Sequence, residues 1–511
     1  MTAAAQRWPT ARRRRGGVDV AAAANLVAEL TTYLSAAFAL PTAAALWYGE
    51  SPWPFAGAAA ITLAAGLGVG RATRGRERVG LREGFLVVSL TWLVAAAVGA
   101  LPYLLSGEEQ LSSPIDAYFE AMSGFTTTGS SVLTDIPDLP RSLLLWRQLT
   151  QWLGGMGIIV LALAVLPRLR VGGRQLFQSE APGPEVEPLS ASIRSTARRL
   201  WLLYLALTVA EVAALSAVAV TDLDPEMTFF DALAHALTTM PTGGFSPRGR
   251  SLEEFGAATQ WVVIAFMVLA GANFGLMYVA LVRRDGRALL GNEEVRLYLL
   301  LLALAAAVLA VDLGAHGVAA GEHAVRAGAF QAVAIMTTTG YASADFAVWP
   351  ALAAAVLVGL MFVGGTAAST AGSVKVVRHL LIGRILRREL DQTVHPEIVE
   401  PIRLQRMPVE ERTVRAVIAF FLLYVTLFAA GTLVLMFDSE IGGLGLAPFE
   451  AVAAAATTLG NVGPALGPAG PMGSFQPFGD ASKIVMILLM WLGRLEIVPV
   501  IVLFTVRYWR K

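Results

Sequence analysis

Asp116-Ala-Tyr-Phe-Glu-Ala-Met-Ser-Gly-Phe-Thr-Thr-Thr-Gly129 has three counterparts further along the chain. The second begins at Asp231 and ends in Thr242-Gly243-Gly244. The third begins at Ala327 and ends in Thr338-Thr339-Gly340. The fourth begins at Glu450 and ends in Asn461-Val462-Gly463. In each, the last glycine lies 13 residues after the start, and the sixth residue is alanine: Ala121, Ala236, Ala332 and Ala455. Apolar stretches of about 10–14 residues are more often re-entrant than spanning. The last glycines are 115, 96 and 123 residues apart, room for two spans and a loop between copies. Internal repetition of this kind fixes the architecture before any local motif does. The pattern is span, short helix, Gly-ended loop, span, four times over.

The composition puts this pattern in a bilayer. The 511 residues are 56% hydrophobic and only 15% charged, with a mean hydropathy of +0.61. Soluble chains carry about 25% charged residues, so this chain has too few charges to cover a soluble surface. The absence of Cys excludes disulfide scaffolds, Cys-based zinc and iron–sulfur sites and Cys nucleophiles. A formal net charge of +1 argues against a nucleic-acid partner. Lys occurs only at 375, 483 and 511, leaving 36 of the 39 basic residues as Arg. This bias is a mark of a GC-rich genome rather than of a mechanism.

Ten spans are predicted, at about 24–48, 54–70, 83–105, 143–166, 199–221, 257–282, 296–314, 351–382, 413–437 and 482–507. Arg clusters alternate with them. They lie at Arg12–Arg15, at Arg71, Arg74, Arg76, Arg78 and Arg82, and at Arg168, Arg170 and Arg174. Others are at Arg194, Arg198 and Arg199, at Arg283, Arg284 and Arg287, at Arg384, Arg387, Arg388, Arg403 and Arg406, and at Arg507, Arg510 and Lys511. With both termini cytoplasmic, every cluster falls on the inner side. No cleavable signal peptide is evident. The longest polar insert, about 383–412, reads as a docking surface. The expected division is 1–80 for two extra N-terminal spans, then pore repeats at 81–175, 190–290, 291–390 and 391–511.

The fold expected is thus an all-α polytopic membrane protein, with four pseudo-repeats of span, pore helix, filter loop and span around one ion pore. Non-helical backbone at membrane depth is tolerated only when buried in protein or lining a water-filled path. Carbonyl rings in such loops replace the hydration shell of a cation. Glycine supplies the left-handed conformations this requires, and the negative C-terminal ends of the short helices favour a cation. No carboxylate lies in the last four residues of any loop, which favours a monovalent ion.

These residues closely resemble the TrkH/KtrB superfamily of potassium transporters, and its TrkH branch in particular. The resemblance rests on Phe119–Gly129, on Trp146-Arg-Gln-Leu-Thr-Gln-Trp-Leu-Gly-Gly-Met-Gly157 and on Thr242-Gly-Gly-Phe-Ser246. It extends to Phe362-Val-Gly-Gly-Thr-Ala-Ala-Ser-Thr-Ala-Gly372 and Gly493-Arg-Leu-Glu496. It implies potassium uptake through a channel-like pore in the inner membrane, with potassium as substrate and no covalently bound cofactor. It also implies a homodimer and a cytosolic nucleotide-binding regulator of the TrkA type, with any nucleotide on that partner. The filter residues carried over are Thr127, Thr128, Gly129, Thr242, Gly243, Gly244, Thr338, Thr339, Gly340, Asn461, Val462 and Gly463. Sodium-admitting relatives tend to carry Ser at the first filter glycine, where this chain has Gly129. Met240-Pro241 and Asn461-Val462 depart from the family pattern. The gate carried over is Gly364, Gly365, Thr366, Ala367, Ala368, Ser369, Thr370, Ala371 and Gly372, an intramembrane loop beneath the filter.

Other residues are read on chemistry. The nine consecutive small residues at 364–372 either serve close helix packing or, being unable to hold a stiff helix, bend or break span eight. Arg494 within an apolar run needs a cavity or a partner; it either pairs with Glu496 or a carbonyl, or faces the pore and braces the gate. Lys375 either joins it or snorkels to the cytoplasmic edge. Glu211 pairs with a neighbouring helix or relays protons. Glu120, Asp231 and His235 cap or pack the short helices, or Glu120 concentrates cations near the outer mouth, and Asn273 joins helices. Gly66-Leu-Gly-Val-Gly70 lies in a span with no preceding strand and is no dinucleotide loop. The alternatives weighed are sodium-dependent uptake of the KtrB type or a mixed potassium/sodium pathway, an intramembrane enzyme, and a scaffold. An enzyme would need a polar cluster that the spans lack. A scaffold has no reason to keep four loops in register.

Overall fold

The computed structural model describes residues 17–75, 80–164, 193–397 and 400–510. Among the described residues, six helices are long and apolar enough to cross a membrane: Val20–Tyr48, Trp53–Ala72, Leu81–Ser106, Ser195–Val220, Glu293–Ala315 and Glu411–Gly442. Two bent pairs bring the number to eight. The other two predicted spans fall on helix Arg141–Ala164 and on the segments Ala351–Leu360 and Val376–Val394. The Arg residues at 12–15, 76, 78, 168, 170 and 174, with Lys511, lie outside the described residues.

Between the spans sit four short helices, Pro114–Phe125, Phe229–Thr239, Gly321–Met336 and Pro448–Gly460. Local chemistry starts them. Ser113 and Thr228 are N-caps, and Asp231 returns the hydrogen bond to Thr228 in a capping box. Pro114 and Pro448 occupy first-turn positions, where a missing N–H costs nothing. Their faces are small and buried, as at Ala453, Ala454, Ala455 and Ala456. Lipid gives little drive for helix association, so close packing and interhelical hydrogen bonds carry it. Trp146 Nε1 donates to the Gly99 carbonyl at 3.0 Å, and Trp491 Nε1 to the Ser89 carbonyl at 3.0 Å. Leu304, Val311, Leu422 and Leu433 point outward and exposed, as lipid-facing side chains do.

Two spans read as straight are bent. Ala257–Ala270 and Phe274–Val282 meet at 107°, and Asp480–Arg494 and Val498–Phe504 at 111°. The first bend follows from Asn273, whose side chain caps the second half by accepting from Leu276 N at 2.9 Å. Asn273 is therefore a helix cap and not interhelical glue. The second bend passes through Glu496 (φ 57°) and Ile497 (φ 63°), left-handed positions that stop a helix, with Pro499 following.

The predicted break of span eight is also present, between Leu360 and Val376. The freed backbone groups satisfy one another across breaks. Thr366 N donates to Gly271 O at 2.9 Å, Thr370 Oγ1 to Ala270 O at 3.2 Å and Phe274 N to Ala368 O at 3.3 Å. Broken helices at membrane depth persist where protein supplies such partners.

Candidate functional site

The four Gly-ended loops share one backbone geometry. The residue two before each last glycine is left-handed: Thr127 (φ 52°), Thr242 (57°), Thr338 (57°) and Asn461 (53°). The glycine is left-handed as well: Gly129 (85°), Gly244 (77°), Gly340 (76°) and Gly463 (117°). The residue between them is tied back to its helix by the same bond each time. Thr128 N donates to Ser123 O at 2.8 Å, Gly243 N to Thr238 O at 2.8 Å, Thr339 N to Ala334 O at 2.9 Å and Val462 N to Thr457 O at 2.9 Å.

The loops also close on one another in chain order. A Cβ added at Gly129 would overlap the Gly243 carbonyl oxygen, one at Gly244 that of Thr339, and one at Gly340 that of Val462. At Gly463 it would lie 3.0 Å from the Thr128 carbonyl oxygen. Each glycine thus admits the backbone of the next loop, and the fourth returns to the first. All four glycines line a single cavity. The four loops thus close on one another around a single cavity, with Thr127, Thr128, Thr242, Thr338 and Thr339 buried.

A buried ion pair braces the rim. Arg147 Nε meets Glu120 Oε1 at 2.8 Å, with both side chains shielded from solvent. Glu120 also accepts from Ser131 Oγ at 3.0 Å and Val132 N at 3.0 Å. Arg147 donates to Ser246 O at 3.2 Å and stacks over Phe245, 4.0 Å from its centroid. Asp231 pairs with Arg248 at 2.7 Å, and His235 Nε2 lies 3.0 Å from Ser246 Oγ. Glu120, Asp231 and His235 therefore hold the loops' exits rather than stand free at the mouth. Arg147 was missed by sequence reasoning, because its partner is 27 residues away on another element.

On the helix side of the loops lies the 361–375 break. Thr370 Oγ1 donates to Met240 O at 3.0 Å, and Gly372 N donates to Thr338 Oγ1 at 2.6 Å. A Cβ at Gly372 would overlap the Gly460 carbonyl oxygen. The small residues at 364–372 thus allow contact with three of the four loops at once. Arg494, 2% exposed, donates through Nη1 to Thr370 O at 2.9 Å. It does not pair with Glu496, which binds Arg378 instead. Lys375 turns back to the Ala371 carbonyl rather than snorkelling. Glu294, which sequence reasoning also missed, ties the middle of the segment to the start of the helix that follows it. It accepts from Ala367 N at 2.6 Å and Val377 N at 3.1 Å. Glu211 is buried, with no hydrogen-bonded partner on either carboxylate oxygen among the described residues.

Residues 55–510 match the TrkH family model, described as a cation transport protein. The chain belongs to the TrkH family. It is 38% identical over 438 residues to the Trk system potassium uptake protein TrkH of Halomonas elongata, covering 85% of this chain and 88% of that one. Against TrkH of Escherichia coli K12 it is 37% identical over 433 residues, covering 84% and 86%. Its fold matches the crystal structure of the potassium transporter TrkH from Vibrio parahaemolyticus with a TM-score of 0.86 at 33% identity. That match covers 96% of this chain and all of the other. As a TrkH-family protein the chain is a multi-pass membrane transporter and not an enzyme.

Proposed function

We propose that the chain takes up potassium through the ring of four loops, controlled from below by the 364–372 segment. The observation that carries this reading is the closure of four loops, in one register and one backbone geometry, around a common cavity. In this reading the backbone oxygens of Thr127–Gly129, Thr242–Gly244, Thr338–Gly340 and Asn461–Gly463 replace a cation's hydration shell. The ion is potassium by relation to the uptake proteins named above. Residues 364–372, Lys375 and Arg494 form the gate. The loop's hold on three filter loops and the buried guanidinium beside it support that assignment.

The repeats are those at 81–175, 190–290, 291–390 and 391–511, after the extra spans of 1–80. The chain resides in the inner membrane with both termini in the cytoplasm. It works as a homodimer with a TrkA-type nucleotide-binding regulator and needs no cofactor of its own. Rubidium flux into liposomes holding the purified chain, with sodium as competitor, tests the reading. Rubidium entry that potassium blocks and sodium does not is expected. Equal block by sodium, or a strict requirement for sodium, would replace it with the mixed or sodium-dependent alternative.

A further inference from the structure

The four loops are braced in different ways, and the second is braced from outside. In the first and third loops, the hydroxyl one residue before the last glycine meets the hydroxyl two residues earlier. Thr128 meets Thr126 at 2.7 Å, and Thr339 meets Thr337 at 2.8 Å. The second loop has Gly243 and Pro241 at these positions and so has neither hydroxyl. There the carboxamide of Gln151 enters from helix Arg141–Ala164, an element of the first repeat.

Gln151 is fully buried. Its Nε2 donates to Gly243 O at 2.7 Å, and its Oε1 accepts from Phe245 N at 3.0 Å. A Cβ at residue 243 would overlap this carboxamide. Gly243 is not among the left-handed residues, so glycine is present for space and not for conformation. One turn earlier on the same helix face, Arg147 takes the Ser246 carbonyl of the same strand. The fourth loop has yet another brace. Asn461 Nδ2 donates to Thr128 Oγ1 and to Met490 O, each at 2.9 Å.

We infer that Gln151 is a specificity-determining positioning residue. Its carboxamide takes the place of the threonine side chain that the second loop lacks, and sets the Gly243–Phe245 backbone against the first loop. The inference rests on the filter reading above. Threonine braces hold two loops from within, whereas this one is held by a neighbouring repeat. Loss of Gln151 frees one quarter of the ring and leaves the other three braced.

The test is the potassium-over-sodium permeability ratio of the full chain in liposomes, for the parent, Gln151→Ala, Gly243→Thr and the double variant. The Ala variant is expected to lose about fivefold in the ratio, the equivalent of one net hydrogen bond of about 1 kcal/mol. Gly243→Thr alone clashes with the Gln151 carboxamide and is also expected to be impaired. The double variant restores a threonine in the space vacated, and should regain most of the parent's selectivity. A merely structural role would not give that recovery. An Ala variant as selective as the parent overturns the inference. So does a double variant no more selective than Gly243→Thr alone, and that comparison decides by itself should Gln151→Ala fail to insert. A parent that does not discriminate potassium from sodium would overturn the filter reading itself, a different failure from either.

Discussion

At Gly129 two constraints coincide, and each excludes a side chain. The backbone is left-handed at φ 85°, and the space a Cβ would fill holds the Gly243 carbonyl oxygen. A serine there must displace the second loop. Gly129→Ser is therefore expected to cut potassium-over-sodium discrimination about tenfold, the equivalent of about 1.4 kcal/mol, and to change expression less. Reversal potentials in planar bilayers would measure it. An unchanged ratio in a conducting variant would refute the steric account. Arg147 is constrained by charge instead. Removing one partner of a buried pair leaves an uncompensated ion, at a cost of about 3–5 kcal/mol. Arg147→Ala should thus lower the melting temperature of the detergent-solubilised chain, and so should Glu120→Gln, which keeps a hydrogen-bonding group but leaves the buried Arg147 guanidinium without its counter-charge. A melting curve for Arg147→Ala that overlays the parent's would show the pair to be dispensable. The glycines were legible in the sequence because their register repeats. Arg147 and Gln151 were not, since nothing local marks a side chain whose partners lie 27 and 92 residues away.

Among the elements, spans six, eight and ten give up helical continuity just where they meet one another. At the break in span six the Ala270 and Gly271 carbonyls accept from Thr370 and Thr366 of the 361–375 segment, and Arg494 at the end of helix Asp480–Arg494 donates to Thr370 O. Two of these breaks were illegible. Asn273 sits in an apolar run like any tolerated polar residue. The positive φ at Glu496 and Ile497 contradicts the preference of both residue types, Ile497 being β-branched. Only the nine small residues of span eight announced their break. The hold on this segment is concentrated in few groups, so its removal has a directional consequence. Arg494→Ala and Glu294→Ala are each expected to raise rubidium flux several-fold in the absence of any regulator. Arg494→Ala loses the bond to Thr370. Glu294→Ala loses both bonds that tie the segment to the following helix, to Ala367 and Val377. Folded variants as closed as the parent would remove the gate from this segment.

For the whole molecule, the open question is how such a pathway is shut. An uptake route that never closes would collapse the membrane potential, and none of the described residues form a soluble ligand-sensing domain. In the proposed reading, control reaches the 364–372 segment from the side on which the Arg residues cluster. Helix Val376–Val394 follows that segment and carries Arg384, Arg387 and Arg388. The three are not equivalent. Arg384 is engaged by Glu293 and by the Arg403 carbonyl. Arg388 is engaged by Glu411, whose carboxylate holds the guanidinium above its ordinary pKa. Arg387 is exposed, with Asp391 at 3.8 Å as a loose partner. Arg406 is exposed on the nearby turn between Leu404 and Met407. These two are the charges free to meet an acidic partner, whereas reversing Arg388 would set it against Glu411 and disturb the fold. Arg387→Glu with Arg406→Glu is therefore expected to reduce co-purification of the nucleotide-binding regulator while leaving unregulated flux and melting temperature unchanged. In the parent, the same association should weaken as salt rises, since exposed ionic contacts are screened within about 10 Å at 0.1 M. Arg residues that serve only to orient the chain and to meet anionic lipid would give full retention of the regulator in the double variant, at every salt concentration.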